Sequence, residues 1–514
     1  MPRLLPVLLL LLATAVNPGG VRAQDTDADH AAVEAEHQDA PAEHAQEADL
    51  NAAGDEHAQD AEHAAGEAGH GEEGDHGPLP PLWLVLPFMT ILLMIATGPL
   101  FYAHHWHHHY PKYSVGLGVI VALYYVFGMG NGTPIVHAIQ EYMSFIALVA
   151  SLFIAASGIY VSVNAKGSPV TNTILLFVAS VIANLIATTG SAMLFIRCYM
   201  RLNTGRLKAY HIVFFIFLVA NVGGALTPIG DPPLFLGFLR GVPFFWTMAH
   251  VWHIWLFATV LILGVFFVID SRNKDEAPDP DPDLPLISLQ GSKAFIWVAV
   301  IIGSVFIDPN IFPDVVPDLY AKFHIPFGIR EIIMFAVAFG AYQTANKEVM
   351  EKNEFNFEPI REVGWLFLGI FATMQPALQL ISAFASSNAD SLSVGTFYWG
   401  TGALSGILDN APTYLNFLAA AMGKFGMDVN AAASVVAFSE GMDSAIYLQA
   451  ISVAAVFFGA MSYIGNAPNF MVKAIAESNG VETPSFMGYI IRYSIPILLP
   501  IYFIIYLVFF SGWL

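Results

Sequence analysis

Charge is scarce in this chain. Of its 514 residues only 12% are Asp, Glu, Lys or Arg and 56% are apolar, a balance that excludes an ordinary soluble enzyme of this length and indicates a polytopic membrane protein. The single cysteine, Cys198, excludes an intramolecular disulfide and reads as a small apolar filler. Residues 24–77 contain no Lys or Arg but 17 Asp and Glu, so this segment alone carries −17 of the formal −21. Net charge therefore says little about the membrane body, and no basic stripe points to nucleic acid.

The same segment lacks large apolar groups, so it cannot form a core that offsets chain entropy, and it reads as disordered. Its seven histidines, His30, His37, His44, His57, His63, His70 and His76, recur every six or seven residues with one gap of thirteen. On a helix that spacing would gather several on one side, a face for weak zinc or nickel binding or for charging below about pH 6.5; a solvated linker is the alternative. Ahead of it, residues 1–23 show Arg3, the run LLPVLLLLLATAV and a final VRA, the pattern of a signal peptide, which would place the tail outside the cytoplasm. A second run, HHWHHH at His104–His109, reads either as an interfacial anchor or as a cytoplasmic pH sensor. His137 and His211 read as interfacial.

Ten apolar windows are candidate spans: 82–102, 113–129, 140–164, 211–238, 249–269, 294–308, 328–345, 363–384, 445–477 and 486–510. Two more, 171–200 and 396–423, are interrupted by polar residues, Gly or Pro and read as re-entrant hairpins, because irregular backbone at membrane depth needs protein or a water-filled cavity to satisfy it. With the tail outside, fourteen Lys and Arg fall on the cytoplasmic side and only Arg240, Lys322, Arg330 and Lys424 outside, as the positive-inside rule requires. The expected architecture is all-α: two inverted repeats of five transmembrane helices plus one re-entrant hairpin each, over 78–270 and 293–514. A cytoplasmic linker, 271–292, joins them, and both termini lie outside.

The repeat is visible in the letters. GALTPIGDPP, Gly224–Pro233, aligns without gaps on GAMSYIGNAP, Gly459–Pro468, at an offset of 235. Gly and Pro inside a span free backbone groups and aim half-helix dipoles at the membrane midplane, where an ion can be held. The hairpins add SVIANLIATTGSAM and GILDNAPTYLNF. Candidate ion- or substrate-binding residues are thus Asp409, Asp231, Asn410, Thr413, Asn466, Thr189, Ser191, Asn184, Thr227 and Asn221. An acid at membrane depth is a functional candidate by default, and one that holds either a proton or a cation supplies the coupling of an exchanger. Asp409 ranks ahead of Asp231, because DPP is also a helix N-cap signature.

ANLIATTGSAMLFIR, ANVGGALTPIGDPPLFLGFLRGVPF and LDNAPTYLNF together resemble the NhaD-type bacterial sodium/proton antiporters, of the ion-transporter superfamily that also holds arsenite permeases and citrate or dicarboxylate carriers. The resemblance covers about residues 80–514. It implies two inverted repeats, a scaffold that often dimerises, elevator-like movement of the hairpin-bearing part and exchange of Na⁺ or Li⁺ for H⁺ across the bacterial inner membrane, with no cofactor. The tips ATTGS and LDNAPT depart from the Ser-Asn-Thr triplets of the dicarboxylate carriers, and an Asp at the second tip opposes an anionic substrate. Organic-anion or arsenite transport, and divalent-metal transport fed by the histidine tail, are the alternatives. An intramembrane aspartyl protease is not expected, since GD follows PI and no Tyr precedes Asp409.

Overall fold

The structure, a computed structural model, describes residues 78–512 except Asn310, Pro313 and Asp318. The expected signal peptide and the seven histidines of the acidic segment lie outside the described residues. Residues from Pro80 onward belong to one compact, mostly helical unit.

The first part of the chain forms α1 (Leu86–Phe101), α2 (Ala103–Leu123), α3 (Thr133–Ser157), α4 (Pro169–Leu202), α5 (Ala209–Leu218), α6 (Pro232–Arg240) and α7 (Trp246–Asp270). The second forms α8 (Ala294–Val305), α9 (Ile329–Thr344), α10 (Glu358–Ser387), α11 (Val394–Ser405), α12 (Asn410–Lys424), α13 (Ala432–Glu440), α14 (Ala445–Phe458), α15 (Ala467–Ser478) and α16 (Leu499–Phe509). α16 continues a helical run from Phe486 through π-type turns at Ile490–Leu498.

Seven helices are long and apolar enough to cross a membrane, or eight if the pair 432–440 and 445–461, bent by 97°, is one span. Ten spans are expected from the sequence, and seven or eight helices have this length and composition. Six of the ten windows are such helices: 82–99, 103–128, 133–157, 246–270, 358–387 and 486–509. α8 and α9 have only 12 and 16 residues, and the windows 211–238 and 445–477 are each split into two short helices, none of which meets the length test. The window at 140–164 also ends early, because the chain leaves α3 at Ser157 and enters a strand.

The seventh long helix, α4, is not one straight span. In a straight helix Asn172 and Asn203 would stand about 46 Å apart at 1.5 Å per residue, yet their side-chain amides exchange two hydrogen bonds of 2.8 Å. Ser191 Oγ likewise donates to the carbonyl of Ala179 at 2.7 Å. The chain reverses at Ile186 and Ala187, whose φ of 64° lies in the left-handed region. The reversal gives α4 two antiparallel arms, as the TTGS interruption predicts. α11 and α12 form the second hairpin, with Phe397 of one arm against Phe417 of the other.

Packing holds the two parts together. α2 crosses α10 where Ser114 and Gly118 meet Gly369 and Ala372, small residues that let the backbones close, and Ser114 Oγ donates to the Trp365 carbonyl at 2.5 Å. The linker carries a strand that helical periodicity does not announce: β2 (Ile287–Gln290) pairs antiparallel with β1 (Tyr160–Val163), Val161 opposite Leu289. Asn164 donates to the carbonyls of Asp281 and Leu284 at 2.7 and 2.9 Å, and Lys166 meets Asp279 at 2.9 Å. The hydrogen bond and charge of Asp279 hold the Lys166 ammonium above its ordinary range.

Candidate functional site

Two pieces of each part meet at one point. Between α5 and α6, and again between α14 and α15, the helix stops and the chain runs irregularly before restarting at a proline-bearing turn. Thr227 Oγ1 accepts from Gly230 N–H at 3.1 Å, and Ser462 Oγ accepts from Gly465 N–H at 3.1 Å, so the aligned residues build the same turn. The two glycines are required by close approach: a Cβ on Gly465 would lie 2.6 Å from the Gly459 carbonyl oxygen, and one on Gly230 would collide with that of Gly224.

Each hairpin tip then docks on the break of its own part. Thr188 N–H donates to the Gly230 carbonyl at 2.8 Å, and Asn410 N–H to the Gly465 carbonyl at 3.2 Å. Asn184 fixes the first docking. Its Nδ2 donates to Gly223 O at 2.6 Å, its Oδ1 accepts from Leu226 N–H at 2.9 Å, and its own carbonyl accepts from Thr227 Oγ1 at 2.6 Å.

Asp231 sits where these elements converge, 1% exposed. Thr188 Oγ1 donates to its Oδ1 at 2.9 Å, Asn466 Nδ2 to the same oxygen at 2.9 Å, and Asn410 Nδ2 to its Oδ2 at 2.7 Å. One donor comes from the first hairpin, one from the second, and one from the other break. Asn466 is the residue that aligns with Asp231, so the two equivalent positions touch. No Lys, Arg or His among the described residues bonds to this carboxylate. Its electrostatic support is neutral donors and the N-terminal ends of α6, α12, α15 and the second arm of α4.

The capping role expected of Asp231 belongs instead to Asp409. Asp231 makes no side-chain cap bond, whereas Asp409, mostly buried, has Oδ1 accepting from Ala411 N–H at 3.0 Å at the start of α12. Thr413 donates to the Asp409 carbonyl at 2.8 Å and Ser191 to Ala179, so both hydroxyls are spent on local backbone. Thr189 makes no bond to Asp231 and lines a small apolar cavity of about 30 Å³ together with Phe145, Leu148 and Phe153 of α3 and Pro228 and Pro232. Asn221 donates to Asn469 Oδ1 at 2.7 Å, and Asn466 reaches back to the Ala220 carbonyl at 3.0 Å, stitching the two breaks. Asn221 Oδ1 and Asn410 Oδ1 are buried and accept no hydrogen bond; Asn221 Oδ1 and Asn410 Nδ2 both face Gly459, and the same Asn410 Nδ2 is the donor to Asp231.

One contributor escapes a reading by sequence. Asn469 bonds Asn221, Gly459 O and Ser462 O, and nothing in PNFM marks it. Thr188 is one hydroxyl in a TTGS run, and only geometry separates it from Thr189. His211, expected at the interface, is fully buried, with Nε2 3.1 Å from Asp270 Oδ1.

No curated protein matches this chain. Residues 78–510, more than four-fifths of it, match the sequence profile of a family described as putative citrate transport. The chain is a transport protein of that citrate transporter-like family, a multi-pass membrane protein and not an enzyme.

Proposed function

We propose that the chain is a secondary transporter exchanging Na⁺ or Li⁺ for H⁺ at Asp231, as the NhaD-type branch of the superfamily would. The observation that carries this is a single buried carboxylate, held by three neutral donors from both hairpins and the opposite break, with no cationic side chain bonded to it. A carboxyl group so placed can exchange a proton for a small cation. Asn221 Oδ1 and Asn410 Oδ1 supply neutral oxygens of the kind a hard cation accepts. The shared turn and docking bonds support two halves related by inversion, 78–270 and 293–514, alternating the site between the two sides of the membrane. Asp409, Thr413, Thr189 and Ser191 border this site, and a homodimer, as the resemblance implies, would suit such a movement.

A second reading has its own support. Four helix N-terminal ends converge on the site, which suits an anion, and the family's description names citrate. In that reading an organic anion would enter with Na⁺ or H⁺. Asp231 already occupies the positive region as a built-in anion, which favours the exchange reading.

Purified protein in liposomes carrying an imposed pH gradient separates the two. Na⁺ or Li⁺ alone is expected to dissipate the gradient, K⁺ is not, and Asp231→Asn is expected to remove the response. Citrate uptake without any response to Na⁺ alone would replace exchange by anion transport.

A further inference from the structure

The run His104–His109 takes no part in the site above. Trp106 and Tyr110, one turn apart on α2, point inward and pack with Leu366, so Trp106 is a core residue and not an interfacial anchor. α1 closes tightly on this indole, since a Cβ on Gly98 would lie 2.6 Å from its ring. With the helix rotation fixed this way, the histidines occupy its outer faces: His104, His105, His107 and His108 are exposed and His109 is half-buried.

Residues four apart on a helix share a face. The rings of His105 and His109 stack face to face 4.4 Å apart, and those of His104 and His108 meet edge to face at 4.8 Å. His109 Nδ1 is 3.1 Å from the His105 carbonyl oxygen. A proton donated there leaves His109 Nε2 with a free lone pair, the outer-shell arrangement that orients a metal-bound imidazole. His105 Nε2 lies 2.9 Å from the Tyr113 hydroxyl, which steadies the second ring.

We propose that His105–His109, and beside it His104–His108, are binding sites for a first-row divalent transition metal, Zn²⁺, Ni²⁺ or Cu²⁺. Imidazole suits these ions, whereas Mg²⁺ and Ca²⁺ demand oxygen. The four-residue spacing on one helix is what brings two histidines onto one metal. Among the described residues no three His, Cys, Asp or Glu group around a common point, so each site is a two-imidazole chelate completed by water. In both pairs the rings must turn to aim one nitrogen each at a common ion, and in His105–His109 the Nε2 of His105 must also leave the Tyr113 hydroxyl. His107 has Ala103 and Pro111 at the four-residue positions and belongs to neither pair.

The test is a Zn²⁺ titration of the purified full chain, without an added histidine tag, against a chromophoric chelator. Metal held by the histidines of residues 24–77 is common to every variant. His105→Gln and His109→Gln are each expected to remove one equivalent, and the double variant no more than either alone. Replacing all four paired histidines removes two equivalents, and His107→Gln removes none. An unchanged stoichiometry in the fourfold variant overturns the proposal, as does a loss graded by histidine number regardless of pairing.

Discussion

Asp231 and Asp409 both precede proline-bearing helix starts, yet their carboxylates do different work. Asp409 spends an oxygen on the Ala411 amide, while Asp231 collects side chains from three other elements. Removing the cap by Asp409→Ala should cost about 1 kcal/mol, and Asp409→Asn, an equally good cap, should cost little. Under the exchange reading Asp409→Asn retains most Na⁺-driven proton flux and Asp231→Asn loses it; the opposite ranking in the liposome assay would move ion handling to Asp409. Asn410→Leu leaves Asp231 Oδ2 without its donor, which should cost about 1–3 kcal/mol and lower the unfolding temperature in detergent. An unchanged unfolding temperature would mean that the Asn410–Asp231 bond is not held in solution. Sequence could identify the acids because charge is rare here. It could not rank them, since an Asp before a proline reads the same whether its side chain caps a helix or accepts donors from elsewhere.

The first hairpin shows what an element's own letters reveal and what they hide. Its reversal is legible in the TTGS interruption, because polar and small residues cannot sit in mid-membrane without a reason. What locks its feet is not. Asp270, at the end of α7, is fully buried; its Oδ1 accepts from Arg206 at 2.9 Å and Tyr210 at 2.6 Å, and its Oδ2 from Asn172 at 2.9 Å and Arg206 at 3.1 Å. Each of these residues, taken alone, looks like an interfacial charge or cap, and only tertiary packing joins them. The β1–β2 pair escaped for a similar reason, since four residues per strand leave too little pattern to read. Arg206 is 2% exposed, so Arg206→Met would strand a buried carboxylate and should destabilise by about 3–5 kcal/mol. Adding Asp270→Asn should recover part of that loss. A double variant that unfolds at the same temperature as Arg206→Met would show that the pair is not coupled.

At the scale of the whole molecule, the inverted arrangement we propose depends on two short helices. α8 and α9 are about 18 and 24 Å long at 1.5 Å per residue, against a hydrocarbon layer of about 30 Å, whereas α10 at about 45 Å crosses with ease. If all three cross and the α11–α12 hairpin returns to the side it left, positions 274 and 442 lie on opposite faces of the membrane. Cys198 is 1% exposed and gives no background, so single cysteines can report each side. Lys274 is exposed in the linker, and Met442, between α13 and α14, is 97% exposed. In intact spheroplasts a membrane-impermeant maleimide should label Met442→Cys and spare Lys274→Cys, and everted vesicles should reverse the pattern. Labelling of both from one side would mean that α8 or α9 fails to cross. The two halves would then run in the same sense, and the equivalence of Asp231 with Asn466 would no longer describe two sides of one alternating site.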